Sequence, residues 1–341
     1  MATELKKLLK ATSRSFYLTL RVLPARVRPQ IGLAYLLART ADTITDTEIV
    51  PLAQRLDALQ KLRARVLGRS SELLNFGELA KQQASPAERL LLEKVEDSLA
   101  ALQKFSLADQ QRVRGVLDII TGGQELDLQR FSGASAENII ALKTANELDD
   151  YIYRVAGCVG EFWTQICRAH LFPRAELEDA QLFGDSIRFG KGLQLVNILR
   201  DLPADLRKGR CYLPSLELEQ AGLIPSVLLS PVNESQFRPL YHHYLDVAES
   251  HLQAGWNYTN ALPRGQVRVR LACAWPILIG VRTIDRLRAA GVLELRQGIK
   301  ISRGEVRWVL LRSALAYPLP GVWRKLFRAK TKAVASGPKL R

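Results

Sequence analysis

Apolar residues in this chain recur at the three-to-four-residue spacing of helices, and no stretch keeps the strict alternation of a strand. That pattern points to a core of packed helices rather than one built on a sheet. From Arg28 to Asp46, Pro29 sits in the first turn, and Ile31, Ala34, Tyr35 and Ala38 form an apolar stripe. Ser85-Pro86-Ala87-Glu88 spells a capping box with proline at the first helical position, ahead of a periodic run to Phe105. Ser106 and Asp109 repeat the signal. Further helices are predicted near 51–68, 136–170, 176–202, 234–261, 268–290 and 303–316. No repeat of fixed period is present, and the glycine- and proline-rich turns are too short to be domain linkers. The expected fold is all-α, one domain over 1–316, followed by a basic amphipathic tail over 317–341.

Composition closes off several function classes. Hydrophobic residues make up 47 % of the 341, which is ample for a buried core. Cys158, Cys167, Cys211 and Cys273 show no C-x-x-C spacing, so neither a disulfide framework nor a zinc site is expected. Reduced thiols of this kind suit a cytoplasmic protein. The opening MATELKKLLKATSRSF lacks the apolar stretch of a secretory signal. The longest strongly apolar run, Leu271 to Val281, has 11 residues and contains Pro276, too short to span a bilayer.

The net charge of +15 is unevenly placed. Among the last 18 residues Arg324, Lys325, Arg328, Lys330, Lys332, Lys339 and Arg341 are basic and none is acidic. With Trp323, Leu326 and Phe327 beside them, this tail is expected to hold a monomer peripherally on the inner face of a membrane. No nucleic-acid motif accompanies the charge, and no nucleic-acid partner is expected.

Two acidic pairs, Asp42 with Asp46 and Asp201 with Asp205, share an i, i+4 spacing. On a helix each pair projects from one face, where like charges cost roughly a few tenths of a kcal/mol. Arg39 and Arg200 stand beside the pairs. A compensating ligand is Mg²⁺ (or Mn²⁺), which takes carboxylate oxygens and completes its shell with waters and substrate phosphate oxygens. Gln194, Asn197, Asp201 and Asp205 continue as one stripe at i, i+3, i+7 and i+11, a poor core face and a good metal or polar-ligand face.

Three further segments gather reactive residue types: Thr12-Ser13-Arg14-Ser15-Phe16, Tyr151 to Gly160, and Arg207 to Pro214. The chemistry they suggest is ionisation of a diphosphate ester. Metal ions and guanidinium groups would neutralise the leaving group, and an apolar, aromatic-lined cavity would shield the carbocation. Glycines inside the predicted helices, Gly157, Gly160, Gly190 and Gly192 among them, imply close approach of helices or of a ligand.

TSRSF, YLLARTADTITD, YIYRVAGCVG, QLVNILRD-x-x-x-D and GRCYLP, in this order, resemble the squalene/phytoene synthase family from about residue 12 to 214, with a weaker match to about 310. The resemblance implies an isoprenoid-synthase helical bundle with a central apolar cavity. It also implies head-to-head condensation of two C15 or C20 prenyl diphosphates through a cyclopropyl diphosphate. On it, Asp42, Asp46, Asn197, Asp201 and Asp205 match the Mg²⁺-diphosphate ligands. Ser13, Arg14, Ser15, Tyr35, Arg39, Gln194, Arg200 and Arg210 match substrate-binding positions. Tyr151 matches the tyrosine that handles the proton lost on cyclopropane closure. Pro203, between two of the aspartates, departs from a regular helix and puts Asp205 in question.

Family members either reduce the intermediate with NADPH to squalene or rearrange it without reductant to dehydrosqualene or phytoene. Ala272 to Pro276 and Ile299 to Gly304 resemble squalene-synthase segments near the reductive pocket, with Lys300 and Arg303 as candidate cofactor-phosphate ligands and Trp275 as a substitute for a ring missing at Ala272. The expectation is therefore a squalene synthase using farnesyl diphosphate, Mg²⁺ and NADPH. Presqualene diphosphate synthesis and reductant-free release are alternatives, and a non-enzymatic basic helical module is the alternative of another class. No G-x-G-x-x-G nucleotide motif occurs, and the absence of DDxxD argues against a chain elongase.

Overall fold

The computed structural model describes residues 3–13, 16–294 and 299–327. Its helices are α1 (Thr3–Thr12), α2 (Phe16–Val22), α3 (Arg28–Asp46), α4 (Leu52–Val66), α5 (Gly77–Lys81), α6 (Pro86–Glu93), α7 (Val95–Leu102) and α8 (Leu107–Arg130). After them come α9 (Ala145–Ile152), a π-helical turn over Tyr153–Gly157, α10 (Cys158–His170), α11 (Asp179–Arg207) and α12 (Ser215–Gln220). The chain closes through α13 (Glu234–Ala261), α14 (Val267–Ala289), α15 (Arg303–Ala316) and α16 (Pro320–Arg324). The all-α bundle expected from the periodicity is the fold observed.

Two large apolar clusters form the core. One gathers Leu33, Leu37, Leu59, Leu62 and Leu117 from α3, α4 and α8; the other gathers Leu199, Leu245, Leu252 and Ile277 from α11, α13 and α14. Close helix crossings between them depend on glycine. A Cβ at Gly160 would strike the Ser186 carbonyl, and one at Gly190 the Ala156 carbonyl, so α11 lies directly on α10 and the π turn. These two glycines serve helix packing.

Several local expectations need correction. The capping box at Ser85 does not form; Glu88 instead accepts a hydrogen bond from Arg39 at 2.6 Å, a charge-assisted partner that outcompetes a backbone N–H. The 136–170 helix is broken, because Ile140–Ala141 (β1) pairs in parallel with Arg210–Cys211 (β2). Gly209, at φ +80°, makes the turn that carries the chain from α11 into β2.

The surface role expected of Trp323 and Phe327 is also corrected. Both are buried and stack on Trp256, with ring centroids 5.1 and 6.1 Å away. Trp323 and Phe327 are thus packed against the bundle, while Arg328, Lys330, Lys332, Lys339 and Arg341 lie outside the described residues. Among the described residues no helix is long and apolar enough to cross a membrane.

Candidate active site

Helices α3 and α11 finish at one place. Glu48, two residues beyond α3, meets Lys208 at 3.3 Å and Arg210 at 3.6 Å, just beyond α11. The acidic pairs near the two helix ends are thereby brought to a common rim, where both Asp46 and Asp205 feel the charges of Arg210 and Lys208.

One turn further back, the same helix faces line a cavity of about 420 Å³. Ala38 lines it four residues before Asp42, and Asn197 four residues before Asp201. Its wall is apolar and aromatic, with Tyr35, Phe162, Trp163, Phe189 and Tyr258. Gln194 and Asn197 add polar groups to that wall, Asn197 one turn and Gln194 two turns before Asp201.

Each pair is held differently. Gln124 Nε2 donates to Asp42 Oδ1 at 2.5 Å, and Arg39 lies 3.5 Å from Asp42 while also binding Glu88. Enclosure by the surrounding protein and the nearby Asp46 push the Asp42 carboxyl up to about 6. Arg200 clamps Asp201 through two hydrogen bonds, at 2.9 and 2.5 Å. Burial and the charge of Asp201 push Asp205 up to about 7.

Pro203 does not end α11, which continues to Arg207. The Leu199 carbonyl, denied its usual partner because proline has no N–H, accepts from Tyr241 Oη at 3.0 Å instead. Tyr241 is fully buried, so the helix is repaired from inside the bundle and Asp205 stays on the helix that carries Asp201.

Tyr151 stacks on Tyr212, with centroids 4.7 Å apart, and the two hydroxyls share a hydrogen bond. Tyr212 Oη donates in turn to Asp127 Oδ2 at 3.4 Å. Asp127 also lies 3.7 Å from Arg210, and burial raises its carboxyl to about 6. Burial pushes the Tyr151 hydroxyl well above the ordinary phenol range, so it is a hydrogen-bond donor rather than a phenolate.

Gln124, Asp127 and Tyr212 carry no assigned role in the sequence reading. Gln124 and Asp127 stand at i, i+3 beside apolar Leu128 and Ile120, and that polar pair on a packed face was the available signal.

Other expected residues fall elsewhere. Ser13 is buried and its hydroxyl donates to the Leu9 carbonyl; Tyr35 Oη donates to the Thr12 carbonyl at 3.1 Å, tying that segment to α3. Arg14 and Ser15 lie outside the described residues. Lys300 and Arg303 are exposed and do not line the cavity. The Lys300 carbonyl is held by Arg286, ten residues or about 15 Å along α14 from the cavity-lining Pro276. Trp275 donates to Ser313 at 3.0 Å and faces α15, so it does not replace a ring at Ala272.

Compared with known families, residues 9–305 match the sequence profile described as squalene/phytoene synthase. The chain belongs to that family. The presqualene diphosphate synthase of Sinorhizobium fredii is 28 % identical over 308 residues, covering 89 % of this chain and 94 % of the relative. The bifunctional lycopene cyclase/phytoene synthase of Gibberella fujikuroi is 30 % identical over 278 residues, which is 77 % of this chain and 44 % of the relative. The chain therefore spans less than half the length of that fungal protein. Among solved structures, the complex of TcSQS with BPH1237 has the same fold, with a TM-score of 0.76 and 20 % identity over 97 % of this chain and 94 % of that one.

Among the described residues no three His, Cys, Asp or Glu side chains gather closely enough to hold an ion by themselves. Carboxylates whose protons are held tightly by crowding and mutual repulsion are nonetheless suited to Mg²⁺ that arrives with phosphate oxygens and waters. Asp42, Asp46, Asn197, Asp201 and Asp205 are the residues that would hold it.

Proposed function

We propose that this family member condenses two farnesyl diphosphates head to head, releasing one diphosphate and one proton and forming presqualene diphosphate. The observation that carries this reading is the juxtaposition of two opposed aspartate pairs with an aromatic-walled apolar cavity one helical turn below them. Bound Mg²⁺ would supply Lewis-acid neutralisation of the leaving diphosphate.

The chain's own residues do the rest. Arg39, Arg200 and Arg210 are positioned to give charge-assisted hydrogen bonds to phosphate oxygens. Gln194 and Asn197 orient the diphosphate end, and the apolar wall keeps water from the cation while ring faces stabilise it. On ring closure the lost proton passes to the Tyr151 oxygen as Tyr151 gives its own to Tyr212 and Tyr212 gives one to Asp127. A carboxyl raised to about 6 suits the end of that relay near neutral pH.

Reduction of the intermediate to squalene with NADPH is the second reading, favoured by the resemblance at 299–304. Lys300 and Arg303 do not fit a cofactor acting on the cavity, and no reductive step is assigned to them. The full-length relative from Sinorhizobium fredii favours the first reading.

The test is product analysis with farnesyl diphosphate and Mg²⁺, with and without NADPH. One diphosphate released per two substrates consumed, with presqualene diphosphate accumulating in both arms, is expected. A conjugated C30 or C40 hydrocarbon in both arms refutes the proposal, and squalene formed only with NADPH establishes the second reading.

A further inference from the structure

Helix α15 faces inward with its smaller side chains. Val309, Ser313 and Ala316 are buried, and Ser313 takes the Trp275 hydrogen bond from α14. Its large apolar residues face the other way. Trp308, Leu311 and Leu315, at i, i+3 and i+7, are 53, 54 and 67 % exposed, and Leu319 and Val322 continue the exposed set. Core packing cannot explain this arrangement, because the buried stripe of α15 lies on its opposite side. The contrast with the neighbouring Trp323, which is buried against Trp256, is direct.

The fringe of this patch is cationic. Arg303, Arg307, Arg312, Arg324 and Lys325 are exposed, and the one acid over 299–327, Glu305, is occupied by the helix cap at Ser302 and by Arg286 at 2.7 Å. We infer that this face is a docking surface for an anionic lipid bilayer, with Trp308, Leu311 and Leu315 entering the headgroup boundary and the arginines meeting lipid phosphates. Charge decides between occupants. A second copy would set this basic fringe against another like it, and residues 328–341 bring five more cations, no acid, and only Val334 and Leu340 as large apolar groups. The placement has a use, since α14 lends Ala272, Cys273 and Pro276 to the cavity wall and Trp275 to α15, leaving the docked surface one helix from the cavity.

The assay is flotation of the full chain with phosphatidylcholine vesicles, with and without phosphatidylglycerol, and it is read without turnover, so it stands or falls separately from the reaction proposed above. Wild type should float with anionic vesicles, less so as salt rises, and little with neutral ones. Leu311→Ser with Leu315→Ser should weaken binding at least about tenfold, because binding scales with inserted apolar area. Arg307→Glu with Arg312→Glu should remove the preference for anionic lipid, and truncation after Phe327 should leave most of the binding. Melting curves confirm that each variant is folded, and the charge variant carries the test if the leucine variant is not. Unchanged flotation of either double variant, or equal binding to neutral vesicles, overturns the proposal. A dimer that the leucine variant dissolves, with no vesicle binding by wild type, also overturns it and assigns the face to a second copy.

Discussion

The two acidic pairs stand on helices of different character. The α3 pair sits at the end of a regular helix, where Gln124 from α8 holds Asp42 and Arg39, one turn before Asp42, is shared with Glu88. In the α11 pair Arg200 clamps its own neighbour Asp201, while the proline between the aspartates is accommodated from α13 by Tyr241. Asp42 thus adds a tertiary partner, Gln124, to its local arginine, whereas Asp201 takes only its neighbour Arg200 and it is the α11 backbone that needs a tertiary partner. In both, a carboxyl remains whose proton is held more tightly than usual, Asp42 to about 6 and Asp205 to about 7.

The largest effect should come from removing one charge from either pair. Asp42→Asn or Asp201→Asn is expected to lower turnover by at least about 10³-fold, since a metal's electrostatic contribution is several kcal/mol. The fold should survive, with metal-free melting unchanged or slightly raised because repulsion is relieved. Wild-type turnover in either variant would break the equivalence of the pairs. Asp127→Asn should cost about 10²-fold in turnover with substrate affinity largely kept, the scale of a lost proton acceptor. An unchanged kcat would remove Asp127 from the relay.

Legibility in the sequence followed the same division. The α11 stripe from Gln194 to Asp205 was readable because its residues are close in sequence and helical spacing alone puts them on one face. Arg28–Asp46 was legible to the residue because Pro29 starts it and its apolar stripe has one register. Gln124, Asp127 and Tyr212 were not, since each acquires meaning only when α8 and β2 pack against the rim. Trp323 and Phe327 were misread because basic neighbours suggest a surface, whereas burial against Trp256 is a tertiary fact.

The pH dependence sharpens the comparison at a smaller scale. Asp42 and Asp205 bind protons more tightly folded than unfolded, so their contribution to stability is full in acid and is lost as pH rises through about 6 to 7. Metal-free protein should therefore melt progressively lower from about pH 5 to about pH 8, and Mg²⁺ should restore more at the upper end. Asp205→Asn should flatten the upper part of that profile, and an unaltered profile in scanning fluorimetry would contradict the assignment. Smallest of all, Tyr241→Phe should cost about 1–3 kcal/mol in urea unfolding by leaving the Leu199 carbonyl unsatisfied, with no counterpart on α3.

The central claim is that the two pairs act as one site for a diphosphate. Calorimetric binding of inorganic diphosphate, with and without Mg²⁺, to wild type, Asp42→Asn, Asp201→Asn and the double variant tests it directly. Binding should require Mg²⁺, and either single substitution should lose nearly as much affinity as both together. Losses that simply add, or diphosphate bound equally well without Mg²⁺, would show two independent acidic faces and contradict the account.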